Sequence, residues 1–140
     1  MRRGDAAAAR RRLDRVERTL TEALVRSPKA AALYYWRARV RHLVGAFEAA
    51  ELDYGTAIAR APDDDRSYRE RSLLRYLRGD HEGAVADASR AIDLAPDRPS
   101  GYYDRSAYLM ALDRVDEAAY DYARAVELER PATDQRAASG

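Results

Sequence analysis

The sequence has no cysteine among its 140 residues. Disulfide bonds, thiolate metal sites and a cysteine nucleophile are therefore excluded, while the redox compartment stays open. Glycine and proline are scarce, with seven and five residues. Alanine, leucine, arginine and glutamate dominate instead, and all four are good helix formers. We therefore expect an all-α protein.

Long hydrophobic runs are missing too. No segment approaches the roughly 18 apolar residues of a membrane span, and the "AAAA" run at 6–9 is too short for a secretory signal. We therefore expect a soluble, cytoplasmic protein with no membrane contact. Lysine is almost absent, with Lys29 alone against 24 arginines. This bias indicates GC-rich codons and a bacterial source.

The residues of common enzyme sites are sparse. The two histidines, His42 and His81, lie 39 residues apart and share no metal-ligand spacing. The chain has neither a phosphate-binding glycine loop nor a GxSxG motif. The acidic run 63–65 could hold a hard cation, but helix capping with solvated charge is the favoured interpretation. We expect no enzymatic activity, no cofactor and no metal.

A 34-residue repeat is the strongest signal in the sequence. Units cut at 31–64, 65–98 and 99–132 align without gaps, and they agree at small residues, at a tyrosine and at a terminal proline. The agreeing positions include Tyr34, Tyr68 and Tyr102; Ala38, Ser72 and Ser106; Ala50, Ala84 and Ala118; Ala57, Ala91 and Ala125; and Pro62 and Pro96.

Each unit is predicted to form two antiparallel helices. Gly45 and Gly79 break the first two units in the middle, since glycine tolerates the left-handed conformation of a helix end. Asp113 takes this place in the third unit. Aspartates near the breaks and after the unit-closing prolines are predicted to cap the following helices. The predicted caps are Asp63, Asp97 and Asp80.

Both ends of the chain depart from the repeat. Leu13, Val16, Leu20 and Leu24 trace one helical face, so residues 5–27 are predicted to form one long helix. Residues 1–30 would then be a basic capping segment, a partial repeat that covers the apolar side of the first unit. Seven helices are expected in all. Residues 133–140 show no apolar period and are predicted to be a flexible tail.

An arginine and an aspartate recur symmetrically about each predicted turn. In an antiparallel hairpin, residues equidistant from the turn lie side by side, and eight residues at 1.5 Å each place both groups about 12 Å from it. A guanidinium suits a two-point contact with a carboxylate. These residues are therefore predicted to be structural ion pairs. The pairs are Arg37 with Asp53, Arg71 with Asp87, and Arg105 with Asp121.

The repeat resembles the tetratricopeptide repeat (TPR) family. The 34-residue length, the aromatic residue at the fourth position, the small residue at the eighth, the two alanines of the second helix and the terminal proline all match. The resemblance covers about 100 residues in three copies. It implies a right-handed α-solenoid of three helix-turn-helix repeats, here with an N-terminal capping helix.

The resemblance also implies a concave groove, lined by the first helix of each repeat, that binds a peptide or a partner helix. Arginine and aromatic residues at these positions suit a ligand with an acidic feature, although Trp36 or Tyr76 could instead only pack between helices. The groove positions carried over are Tyr35, Trp36, Arg39, His42, Arg66, Arg69, Glu70, Leu73, Tyr76, Ser100, Tyr103, Asp104, Ala107 and Met110.

One known ligand of this family does not suit the sequence. Some TPR co-chaperones hold the terminal carboxylate of chaperone tails with lysines, asparagines and an arginine. The matching positions here are Tyr35, Arg39, Glu70, Ser100 and Asp104. Only Arg39 could take such a role, and two of the five residues are acidic. The sequence therefore points away from that ligand.

Three functions remain open. The favoured one is a non-catalytic scaffold that binds a protein or peptide segment in the groove. A second is self-association through the helix predicted at 114–129, whose exposed face would include Ala119, Tyr120 and Val126. The third is an RNA-associated adaptor that uses the N-terminal arginines. Residues 1–30 carry nine basic and four acidic groups, but they lack aromatic residues that could stack on bases, so this third function is the least favoured of the three.

Overall fold

A computed structural model describes residues 2–134 of the chain. This part contains seven long α-helices and no strand, and residues 132–134 form a further helical turn. The helices are α1 (Arg3–Arg26), α2 (Ala31–Leu43), α3 (Phe47–Arg60), α4 (Asp65–Leu77), α5 (His81–Leu94), α6 (Pro99–Ala111) and α7 (Val115–Glu129).

The helices form a solenoid of three hairpins, namely α2–α3, α4–α5 and α6–α7. Each hairpin packs on the next through α3–α4 and α5–α6, and α1 packs on α2. Helix α2 also touches α4, and α4 touches α6, whereas α3, α5 and α7 make no contact with one another within residues 2–134. The stack therefore curves toward α2, α4 and α6, which line its concave face.

The predicted turns lie where the sequence places them. Gly45 and Gly79 have φ angles of 83° and 86°, and Asp113 has a φ of 59°. Left-handed backbone costs least at glycine and is tolerated by aspartate. The three hairpins therefore turn at equivalent positions, although the third does so with a side chain present.

The capping aspartates are partly those predicted. Asp80 caps α5 as expected, accepting a 2.9 Å hydrogen bond from the Gly83 amide. Asp63 is not the cap of α4. That role belongs to Asp64, which accepts from the Arg66 amide at 3.1 Å.

The prediction that Asp97 caps α6 is also wrong. The helix begins at Pro99, and Arg98 occupies the N-cap position without a side-chain hydrogen bond. A proline in the first turn has no N–H to satisfy, so this helix start needs one acceptor fewer.

Small residues in the second helix of each hairpin allow close helix packing. Tyr54 fills the space beside them in the first hairpin and is fully buried. The second hairpin has Ala88 at that position, and the gap is closed by Tyr108 from α6 with Tyr76 from α4, in one cluster. A large side chain on the neighbouring helix thus replaces the missing tyrosine.

Helix α1 packs on α2 with its predicted apolar stripe. Leu24 is buried and Leu13 and Leu20 are half-buried, while Val16 remains 39% exposed. The helix begins two residues before the predicted start. No helix within the described part of the chain is long and apolar enough to cross a membrane.

Candidate functional site: the concave face and its supporting ion pairs

Each hairpin is held together by the predicted arginine–aspartate pair. In the first hairpin Arg37 donates two hydrogen bonds of 2.8 Å to the two carboxylate oxygens of Asp53. The second and third hairpins repeat this two-point contact, at 2.8 Å and at 2.6–2.7 Å. The three aspartates are at most 4% exposed, and the hydrogen bond to the aspartate raises the pKa of each arginine.

The N-terminal part of the concave face holds an aromatic–arginine cluster made of Tyr35, Trp36, Arg39 and Arg66. The Tyr35 and Trp36 rings meet edge-on, with centroids 5.4 Å apart. The guanidinium of Arg39 lies 5.2 Å from the Trp36 ring centre, and that of Arg66 lies 5.0 Å from the Tyr35 ring centre. These cation–π contacts hold the Arg39 and Arg66 guanidinium groups over the Trp36 and Tyr35 rings.

The two cations of the cluster differ in their partners. Arg66 is paired with Asp64 at 3.0 Å. No carboxylate of residues 2–134 lies within 4 Å of the Arg39 guanidinium. Arg39 therefore presents its positive charge to the groove.

Tyr35 does not offer the flat exposed surface that was expected of it. Its side chain is 5% exposed, because Trp36 and Arg66 cover it from the groove and Tyr54 lies beneath it, with ring centres 6.2 Å apart. Burial raises the pKa of the Tyr35 hydroxyl. The Tyr54 hydroxyl is also buried and has no hydrogen-bond partner within the described residues. Trp36, at 47% exposure, is the aromatic surface of this region.

The middle of the face is acidic. Arg69 pairs with Asp104 across α4 and α6 at 3.3 Å, so its charge is partly compensated within the protein. Burial raises the pKa of Asp104, although the charge of Arg69 opposes this shift. The charge of Glu70 contributes to the raised pKa of Tyr35, Tyr54 and Asp104.

Other predicted groove residues mainly support their neighbours. Tyr76 stacks on Tyr108 with ring centres 5.0 Å apart, and His42 packs edge-on against Phe47 at 5.7 Å. The Tyr108 hydroxyl also lies 3.2 Å from the buried Ser72 hydroxyl. These residues help to build the wall of the groove. Leu73 and Met110 are 40% and 56% exposed, and Ser100 is half-buried while Ala107 is exposed.

Tyr103 lies in the C-terminal part of the concave face and contacts α7. Tyr103 donates a 2.7 Å hydrogen bond to Glu129, which raises the pKa of Tyr103 to about 12. Its ring also meets Tyr122 edge-on at 5.2 Å. The hydroxyl of Tyr103 is thus engaged within the third hairpin.

Comparison with known structures identifies the architecture. No protein-family model and no curated protein matches the sequence. A crystal structure of MamA superposes with a TM-score of 0.81 at 20% identity, covering 84% of this chain and 68% of MamA. MamA 41-end from Desulfovibrio magneticus RS-1 gives 0.79 at 22% identity, covering 91% and 72%. The second TPR of Spaghetti (RPAP3), bound to the HSP90 peptide SRMEEVD, gives 0.69 at 22% identity, covering 75% and 98%.

The chain has the TPR fold. In this fold α2, α4 and α6 are the first helices of the three repeats, and α3, α5 and α7 are the second helices. Helix α1 packs on α2 as α3 packs on α4. The predicted all-α solenoid of TPR-like repeats is therefore confirmed.

The first two hairpins carry a second arginine that bonds to the same aspartate, and the sequence analysis did not predict its role. Arg41 donates to Asp53 at 3.0 Å and to Glu17 of α1 at 2.8 Å. It therefore connects the first hairpin to the helix before it. The 34-residue spacing could have predicted this contact, because Glu51 and Arg75 follow Glu17 and Arg41 by one repeat.

The same connection recurs once and is then replaced. Arg75 donates to Asp87 at 3.1 Å and lies 3.9 Å from Glu51 of the preceding hairpin. In the third repeat Leu109 takes the place of the arginine, and Val85 of the preceding hairpin takes the place of the glutamate. Both line a cavity that Arg105 and Asp121 also line. We call the two charged connections the inter-repeat bridges. At these positions the third junction has apolar residues instead, although Arg69 and Asp104 pair across the same two repeats.

The exposed face of α7 differs from the prediction. Tyr120 is 71% exposed, but its equivalent Leu52 is 74% exposed even though helix α4 follows its hairpin. Tyr120 therefore lies at a position that is exposed to solvent even in a repeat that another repeat follows. Tyr122 is 57% exposed where its equivalent Tyr54 is fully buried. The face that lacks a following helix within residues 2–134 thus contains Tyr122.

Val126 and Ala119 belong to this same face. Val126 is 44% exposed, while its equivalent Ile92 is 7% exposed because α6 covers it. Ala119 and Ala123 are also exposed. We call these residues, with Tyr122, the α7 end face.

Proposed function

We propose that the protein is a non-catalytic scaffold whose concave groove binds an extended peptide or protein segment, with a carboxylate of the ligand at Arg39 beside Trp36. Its TPR fold supports a role in protein interaction. The cytoplasmic location and bacterial source expected from the composition stay predictions.

The observation that carries this proposal is the position of Arg39. Its guanidinium stacks on an exposed tryptophan and has no carboxylate of residues 2–134 within 4 Å. A cation that is already ordered loses little side-chain entropy when it forms a two-point contact with a carboxylate. Tryptophan and arginine are also the residues that most often dominate the binding energy of protein interfaces.

The middle of the groove restricts which ligands fit. Glu70 and Asp104 place negative charge next to the aromatic–arginine cluster, and Arg69 compensates only part of it. A ligand with a carboxylate at Arg39 therefore needs a neutral or basic residue over Glu70. A peptide as acidic as the one bound to the RPAP3 domain places its charges less favourably here.

Trp36 makes a direct binding assay possible, because it is the only tryptophan in the chain. Displayed peptides that contain one internal carboxylate would be selected on the protein, and each selected peptide would be titrated against the Trp36 fluorescence. We expect binding to weaken about tenfold or more when the peptide carboxylate becomes an amide, or when Arg39 becomes Glu.

The matched control is Arg90→Glu on the exposed surface of α5. It makes the same change of charge far from the groove and should leave binding unchanged. Arg69→Glu is a poorer probe, because it would also leave Asp104 without its cation. Equal binding by wild type and the Arg39→Glu variant would move the site away from the groove.

A further inference from the structure

Opposite charges lie at the two ends of the solenoid. Helix α1 carries seven basic and four acidic groups, a net charge of +3. Helix α7 carries one basic and five acidic groups, a net charge of −4. Within residues 2–134 these are the first and last long helices, and each packs against one other long helix, α1 on α2 and α7 on α6.

Each end also exposes apolar surface that the interior repeats bury. On the α7 end face, Tyr122 and Val126 are exposed where their equivalents Tyr54 and Ile92 are buried. On α1, Val16 is 39% exposed, whereas the equivalent alanines in α3, α5 and α7 are at most 2% exposed. The exposed side of α1 is where the first helix of a complete repeat would pack.

Charged residues border both apolar surfaces. Arg12 lies one turn before Val16 on the same side of α1, and Arg15 adjoins it; both are exposed. On α7, Asp116 lies three residues before Ala119, and Glu127 follows Val126 directly, so acidic groups border the α7 end face. Glu127 is 62% exposed. The two surfaces therefore both have an apolar centre, and the charges at their edges are opposite.

We propose that a second copy of this chain docks its α1 on the α7 end face, so that the molecules associate head to tail. Apolar contact of Val16 with Tyr122 and Val126 would be flanked by arginine–carboxylate pairs. A contact between two different surfaces of one molecule repeats from copy to copy and gives rings or open filaments. Arg39 and Trp36 lie outside this contact, so the inference is independent of the proposed peptide site.

Two charge-reversal variants of the full chain test the proposal. The first, Arg12→Glu with Arg15→Glu, makes the α1 surface acidic. The second, Asp116→Arg with Glu127→Arg, makes the α7 end face basic. Sedimentation velocity over a range of concentrations would be measured for the wild type, for each variant and for their equimolar mixture, at low and high salt. Arg90→Glu serves as the control, and circular dichroism would check that each variant folds.

We expect the wild type to associate as its concentration rises and to dissociate as salt screens the charges. Each variant alone should associate about tenfold more weakly or worse, since like charges then meet. The mixture should recover association, because an acidic α7 end face then meets a basic α1.

Three results would overturn the proposal. A wild type that stays at 15.8 kDa at every concentration excludes self-association. Association of the Arg12→Glu, Arg15→Glu variant equal to that of the wild type excludes α1 and leaves a symmetric contact between two α7 surfaces or another partner. A mixture no more associated than its components excludes charge pairing between the two ends. Peptide binding at Arg39 would be unaffected by any of these outcomes.

Discussion

The third hairpin depends on its ion pair more than the second does. Asp121 is 2% exposed and, within residues 2–134, accepts hydrogen bonds from Arg105 alone. Asp87 accepts from Arg71 and also from Arg75. Removal of Arg105 therefore leaves a buried carboxylate without a cation, whereas removal of Arg71 does not.

The expected magnitudes follow from this difference. Breaking a buried ion pair costs about 3–5 kcal/mol, so Arg105→Ala should lower the free energy of unfolding by this amount. Arg71→Ala should cost about 2 kcal/mol less, since Arg75 keeps a charge-assisted hydrogen bond worth about 1.5–3 kcal/mol. Urea unfolding followed by far-UV circular dichroism would measure both. Hydrogen exchange would show whether α6 and α7 open first, as the ends of a solenoid can.

Two further variants make the test specific. Arg90→Ala, on an exposed surface, should change stability by no more than about 0.5 kcal/mol. Arg105→Leu combined with Asp121→Leu should recover most of the loss, because an apolar pair leaves no buried charge. The reasoning is refuted if Arg105→Ala costs no more than Arg71→Ala, or if the double leucine variant is no more stable than Arg105→Ala.

Three other predictions concern single positions. Leu109→Arg should destabilise the chain by burying a charge, and adding Val85→Glu should recover at least half of the loss by rebuilding an inter-repeat bridge, as a double-mutant cycle in urea would measure. Burial raises the pKa of Asp104 in the folded state. Protonation of Asp104 therefore stabilises the folded state at acid pH, and this stabilisation is lost as the pH rises through the folded-state pKa. The stability of the wild type minus that of Asp104→Asn should therefore fall between pH 3.8 and neutrality; a constant difference would contradict the shift. Gly79→Ala should cost about 1–2 kcal/mol, since the residue has a φ of 86°, and an unchanged urea midpoint would contradict this.

The sequence predicted the features that repeat. The contact of Arg37 with Asp53 could be found because the two residues lie equally far from Gly45, and an antiparallel hairpin then brings them together. The inter-repeat bridge through Arg41 carried an equally regular signal in the 34-residue spacing. The Glu17–Arg41 contact was not predicted because Glu17 lies in α1, outside the three aligned repeats. The Glu–Arg spacing becomes regular only when α1 is included in the alignment.

Features that depend on one neighbour could not be predicted in this way. The position of Tyr35 in the repeat predicts a groove residue. Its burial follows from Arg66 and Trp36, which do not recur in the other repeats. Tyr120 was assigned to the uncovered face of α7 because it is aromatic and near the end. Only the exposure of Leu52 in a covered repeat shows that this position faces solvent throughout.

The three junctions of the solenoid are held by different contacts. The first two are crossed by the inter-repeat bridges, whose charged hydrogen bonds hold the angle between successive hairpins. At the third junction the apolar residues Val85 and Leu109 take the equivalent positions and line a cavity, while Arg69 and Asp104 pair across the same two repeats. High salt should therefore weaken the charged contacts at all three junctions, including the Arg69–Asp104 pair of the third, and leave the apolar residues Val85 and Leu109 unaffected.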